Sequence, residues 1–168
     1  MTKERMIKLL FELLKNSKRS DRELSKILNV SQPTITRTRR KLEKMGYIKE
    51  YTVIPDLAKL EFELIAFMFI NIATYNPKTG IVDQEGAKKC FDWLEKNQNV
   101  VFCAEGDGLK GKNCMIVSIH RNFTAFTNFV TDFRTKWSGQ VLEAESFLVS
   151  LKTNMAKGFT FKHIPKIP

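Results

Sequence analysis

The chain has 168 residues, 43% hydrophobic and 27% charged, with 28 Lys and Arg against 18 Asp and Glu and a formal charge of +10. Its longest apolar stretch, Leu64 to Ile70, is far shorter than the roughly 20 residues that span a bilayer, so nothing suggests export or membrane insertion. Three cysteines, Cys90, Cys103 and Cys114, are odd in number and show no close pair in sequence, so they read as buried thiols of a reducing cytoplasm rather than a disulfide framework.

The first element is an amphipathic helix. Met6, Leu9, Leu10, Leu13 and Leu14 recur at helical spacing, interleaved with Lys8, Glu12 and Lys15. Glu4 near its start and Lys15 near its end suit the helix dipole. A signal peptide would show an uninterrupted apolar run and a small-residue cleavage site instead. Residues 20–48 then read as two short helices joined by a tight turn. Ser20 followed by Glu23 has capping-box spacing, and Leu24, Ile27 and Leu28 line one face of the helix it starts. Asn29 and Val30 make the turn. Ser31 can cap the next helix, Pro33 sits in its first turn, and Gly46 ends it where a left-handed residue is wanted. This is a helix-turn-helix, whose second member enters the DNA major groove.

In that second helix Ile35, position 39 and Leu42 are spaced to point inward. The opposite side carries Pro33, Arg37, Arg40 and Lys44, flanked by Thr34, Thr36 and Lys41, with Gln32 at the entrance. Arg37, Arg40, Lys41 and Lys44 suit phosphate contacts, and Gln32, Thr34 and Thr36 suit base edges. A solvated cation-rich face is the bland alternative. Arg39 falls in the inward stripe, where it must snorkel out or pair with Glu43 four residues on.

Leu24, Ile27, Leu28, Val30, Ser31, Pro33, Ile35, Arg37, Leu42, Glu43, Gly46 and Ile48 together resemble the N-terminal, winged-helix type DNA-binding domain of the Lrp/AsnC (feast/famine) family of prokaryotic regulators. Tyr51 to Leu57 resembles the strand and linker by which that family leaves the domain. Charge marks the same division. Residues 1–60 hold 15 Lys and Arg against 7 Asp and Glu, a net of +8, and the remainder carries only +2. A basic domain joined to a near-neutral one is the footprint of a nucleic-acid binder. The cations sit on a helix with helical partners, which disfavours a membrane-surface anchor.

Beyond residue 57 the expected elements are a strand over Glu63 to Ala73, a loop over Thr74 to Ile81, and a helix over Asp83 to Asn97 with Ala87, Cys90, Phe91 and Leu94 on one side. A strand over Val100 to Glu105, a glycine-rich turn over Gly106 to Asn113 and a strand over Cys114 to His120 follow. Phe123, Phe126, Val130, Phe133 and Trp137, with Phe129 beside them, mark a second helix, and Gln140 to Lys152 is the last strand. This βαββαβ order is that of a ferredoxin-like domain, so the fold class is α+β: a helix-turn-helix domain over 1–56, a ferredoxin-like effector and oligomerisation domain over 57–153, and a basic tail over 154–168. The aromatic helix stripe reads as core. The first strand is apolar on both faces, Leu64, Ala66, Met68, Ile70 and Ile72 alternating with Ile65, Phe67 and Phe69. A second apolar sheet face is an interaction surface, and a homodimer through it would pair two recognition helices about a two-fold axis.

The same family resemblance implies sheet-to-sheet dimers, assembling in many members to tetramers or octamers, and an amino acid or other small metabolite bound near the turn between the second and third strands. Gly106, Asp107 and Gly108 begin the corresponding turn here, and Asn113 stands where the family carries an aspartate. The tail from Asn154 to Pro168 would be loosely ordered, lie across a neighbouring subunit or touch DNA. No cofactor is expected, and with His120 and His163 the only histidines, no metal site. Two alternatives stand beside a sequence-specific regulator of double-stranded DNA: an architectural protein that coats DNA without reading it, and a haem-pathway decarboxylase-like enzyme on the same frame. For the latter His120, taken as a surface residue next to Arg121, lacks any further acid–base partner, so no catalytic residue is assigned.

Overall fold

The computed structural model describes residues 2–73, 80, 83–153 and 155–163. Its packing divides the chain into one unit of Met1–Ile54 with Lys157–Pro168 and another of Pro55–Ala156. The loop expected over Thr74 to Ile81 lies outside the described residues apart from Gly80, as does part of the tail.

The first unit contains α1 (Lys3–Lys15), α2 (Asp21–Leu28) and α3 (Gln32–Lys44). Met6, Leu9 and Leu13 from α1, Leu24 from α2, and Ile35 and Leu42 from α3 close one core, with Leu10, Leu28, Val30 and Ile48 at its edge. The capping box forms: Glu23 N–H donates to Ser20 Oγ at 3.2 Å, and Ser20 N–H donates to the Glu23 carboxylate at 2.7 Å. Asn29 takes a left-handed φ of 51°, and Val30 N–H closes onto the Ser25 carbonyl at 3.0 Å. Gly46 ends α3 with φ 73°, which lets Gly46 and Tyr47 N–H reach back to the carbonyls of Glu43 and Leu42, both at 3.0 Å.

Several expectations need correction. Ser31 does not cap α3 through its side chain, because Pro33 offers no N–H and the Thr34 hydroxyl occupies Ser31 Oγ at 2.8 Å. The inward stripe of α3 runs through Ile35, Thr38 and Leu42, not through position 39. Ile27 is 48% exposed, since the two-turn α2 buries only the side that carries Leu24 and Leu28. Residues 51–54 form no strand: with no neighbouring backbone to pair with among the described residues, Val53 and Ile54 stand 80% and 60% exposed.

The second unit contains β1 (Leu64–Ile72), α4 (Gln84–Lys96), β2 (Val100–Glu105), β3 (Cys114–His120), α5 (Phe123–Lys136) and β4 (Val141–Ser150). The strands form an antiparallel sheet in the order β2-β3-β1-β4, with β3 inserted between β1 and β2. This is the ferredoxin-like arrangement. Ala66, Met68, Ile70 and Ile72 pack with Cys114 and Ile116 against Ala87, Cys90 and Leu94 of α4 and Phe126, Phe129 and Phe133 of α5. Trp93 stacks between the helices, 6.1 Å from Phe129 and 5.8 Å from Phe133. Phe123, expected in this stripe, is the first residue of α5 and is 60% exposed. Gly86 lies so close to the Asp83 carboxylate and the Gln140 amide that a Cβ would collide with both, and this contact joins the start of α4 to the entry of β4.

On the other face of the sheet, the register sets Phe67 opposite both Val117 and Phe147, with Ile65 and Phe69 on either side. Phe69, Phe102 and Phe147 are 40%, 47% and 65% exposed there. Lys112 is buried where its ammonium meets Glu143, with Glu145 at 3.5 Å.

Candidate nucleic-acid interface

The cationic face of α3 is held in place from behind. Arg39 neither snorkels nor pairs with Glu43; its guanidinium donates to Asp21 Oδ1 through Nε at 3.1 Å and Nη2 at 2.7 Å. Thr36 Oγ1 donates to the other Asp21 oxygen at 2.6 Å. Partial burial pushes the Asp21 carboxyl up, but the bonds from Thr36 and Arg39 outweigh this and hold it below its ordinary value. Arg19, at the entry to α2, meets Glu12 of α1, and its carbonyl accepts from Arg39 Nη2 at 3.4 Å. A chain of charge thus ties all three helices together. Glu43 is occupied by the Tyr51 hydroxyl at 2.8 Å.

Gln32, Pro33, Thr36, Arg37 and Arg40 line one shallow hollow of about 410 Å³, and Lys41 and Lys44 are exposed on the same helix. Thr34 is placed elsewhere: it is turned to Ser31 and borders a small gap beside Arg5, Lys8 and Leu9 of α1. Among the described residues Arg37, Arg40, Lys41 and Lys44 make no ion pair, whereas Glu4, Glu12 and Asp21 of the same unit are each paired. Those three acids are held by internal partners, while the four α3 cations are exposed.

In the second unit, Gly106 and Asp107 line a cleft of about 720 Å³ with Glu105, Asn113, Ile72 and the α4 residues Gln84, Ala87, Lys88 and Phe91. Gly108 is not in its wall; its N–H donates to the Lys112 carbonyl at 2.7 Å and tightens the turn. Asn113 bonds reciprocally with Ile72, accepting from its N–H at 2.8 Å and donating to its carbonyl at 2.7 Å. An aspartate could not make the second bond. Sequence reasoning missed the α4 wall. Its signal was the spacing of Gln84, Lys88 and Phe91 along one helix face, which borders the buried Ala87.

Three residues extend or correct the sequence reading further. His120 is fully buried rather than on the surface, with Nε2 2.9 Å from Ser118 Oγ and its ring against Phe126 and Phe129. Cys103 and Cys114, far apart in sequence, have their sulfurs 3.9 Å apart. No helix of the described residues is long and apolar enough to cross a membrane.

The winged helix-turn-helix DNA-binding family matches residues 3–49. The HTH-type transcriptional regulator LrpC of Bacillus subtilis is 41% identical over 114 residues, covering 68% of this chain and 70% of LrpC. The matches to three Pyrococcus HTH-type regulators span only 36 to 51% of those proteins' length. Among solved structures, a transcriptional regulator from Neisseria meningitidis in complex with L-Met superposes with TM-score 0.78 at 20% identity, covering 100% of this chain and 97% of that one. Escherichia coli AsnC superposes with TM-score 0.75 at 17% identity, over 96% and 99% of the two chains. At these identities the structural likeness is one of fold.

Proposed function

The chain belongs to the Lrp/AsnC family of transcriptional regulators, and on that premise we propose that it is a dimeric, sequence-specific DNA-binding regulator acting in the cytoplasm. The observation that carries this reading is the exposed face of α3, where Arg37 and Arg40 flank Gln32 and Thr36, Lys41 and Lys44 follow on the same helix, and none of the four makes an ion pair among the described residues; Asp21 and Arg39 brace the helix from behind. Arg37, Arg40, Lys41 and Lys44 position the helix on phosphates. Gln32 and Thr36 reach base edges, with Thr34 a lesser contributor because it faces α1. Residues 1–56 serve as the DNA-binding domain and 57–153 as the effector and assembly domain.

Dimerisation uses the outer sheet face, whose exposed phenylalanines suit a second copy of the same surface. The exposed segment from Tyr51 to Ile54, unpaired among the described residues, offers a further pairing edge. The cleft at Gly106 and Asp107 takes a small metabolite. Glu105, Asp107 and Lys88 present both signs of charge beside Phe91 and Ile72, which suits an amino acid, and the Neisseria regulator of this fold was solved with L-Met. The named relatives are regulators, which favours a non-enzymatic role over a decarboxylase.

Selection of bound fragments from the protein's own genome at moderate salt tests the reading. The native protein should enrich a pseudo-palindrome, and Arg37→Ala/Arg40→Ala should not. Each lost phosphate contact should also reduce the log–log salt slope by about 1. Fragments retained without a shared motif would replace specific regulation by architectural binding, and no retention would sink the DNA role of α3.

A further inference from the structure

The two neighbouring sulfurs lie outside the DNA interface and outside the effector cleft, and the regulator reading makes no use of them. The β2–β3 register sets Cys103 opposite Ile116 and Cys114 opposite Glu105, so the cysteines are diagonal neighbours on the helix-facing side of one hairpin. Their sulfurs are 3.9 Å apart, against about 2 Å in a disulfide. β2 is an edge strand paired only to β3, so closing the remaining distance requires a shift in that one pairing alone.

The two thiols differ in the way an attacking and a resolving cysteine differ. Cys103 is half-buried on the edge strand, and Cys114 is 3% exposed. The hydrogen bond from Cys114 holds the Cys103 thiol below its ordinary value, while that same bond and burial push Cys114 up. Cys90, on the buried face of α4, is pushed up to about 12 by desolvation and is the inert third thiol.

We propose that Cys103 and Cys114 form a reversible oxidation site, a dithiol that a hydroperoxide converts into a disulfide across β2 and β3. The Cys103 thiolate attacks one peroxide oxygen; the O–O bond breaks, and hydroxide (or alkoxide) leaves with the electron pair and is protonated. The resulting sulfenic acid is attacked by the Cys114 sulfur, its S–O bond breaks, and the hydroxyl leaves as water with the Cys114 proton. Two electrons pass from the sulfurs to the peroxide, and a dithiol reductant reverses the change. The bridge lies immediately below Glu105 and Asn113, so it ties the base of the turn that walls the cleft.

The test treats the reduced full chain with hydrogen peroxide, then alkylates under denaturing conditions, counts thiols and maps peptides by mass spectrometry. Native protein should lose two of its three thiols, lose the mass of two hydrogen atoms, and yield one linked pair containing Cys103 and Cys114 that dithiothreitol separates. Cys90→Ser should form the same link. Cys114→Ser should stop at a sulfenic acid on Cys103, trapped by dimedone, and Cys103→Ser should react roughly tenfold or more slowly. A link to Cys90, oxidation of Cys103 to sulfinic acid without a link, or retention of all thiols in the native chain would each overturn the proposal. The native and Cys90→Ser results decide it even if the other variants fold poorly, and they do so whatever the protein's behaviour on DNA.

Discussion

His120 lies with its ring centroid 5.4 Å from Phe126 and 5.2 Å from Phe129, and Asn99 Nδ2 approaches its Nδ1 at 3.5 Å. Burial alone pushes its pKa down to about 4. A depressed histidine is charged first in the unfolded chain, so acid favours unfolding: stability is full above about 6.5, the unfolded value, and falls as pH drops toward 4. The loss attributable to His120 should reach about 3 kcal/mol. Urea denaturation of native protein and His120→Gln at pH 7 and near pH 4 should show the stability gap between them closing by roughly that amount; parallel pH profiles would contradict the assignment. Nothing in the sequence disclosed this burial, because a histidine at the end of a strand shows its environment only when α5 is laid over it. Asn113 is similar: its presence was legible, and its side-chain bonds that extend the β1–β3 pairing were not.

At the scale of elements, the caps, turns and periodicities of α1, α2 and α3 were readable because each is a local interaction over three or four residues. The position of Arg39 was not, since its partner Asp21 lies 18 residues away and only the crossing of α2 and α3 brings them together. Both side chains are about one-fifth exposed, so the strut retains most of its strength against solvent. Asp21→Asn should lower unfolding stability by about 1.5–3 kcal/mol at neutral pH, the usual range for hydrogen bonds to a charged group. Because the folded Asp21 pKa is held low, this contribution is present above the ordinary carboxylate value and disappears as pH falls through the lowered one. Thermal melts of the two proteins at neutral and acid pH measure it; identical melting temperatures at neutral pH would reduce the strut to an ion pair of no net worth.

For the whole molecule, the decisive feature is the second apolar face of the sheet. Phe147 is 65% exposed opposite Phe67, so Phe147→Glu removes no core packing and should leave the monomer folded. Sedimentation at micromolar concentration should show native dimers or larger species and a monomeric variant, with unchanged far-ultraviolet circular dichroism. A native monomer, or a variant that still dimerises, would remove this face from the assembly.

Apart from the exit strand expected at residues 51–54, the sequence by itself determined the order and type of the elements, the helix-turn-helix and the family resemblance, because caps, hydrophobic periods and charge density act between near neighbours. It also implied the two-faced apolar β1, since alternation within a strand is a local property. Only the tertiary structure decided which α3 positions face inward, that His120 is buried, that α4 walls the cleft, and that Cys103 and Cys114 meet. Each of those depends on a strand register or a helix crossing, which brings together residues that no spacing along the chain connects.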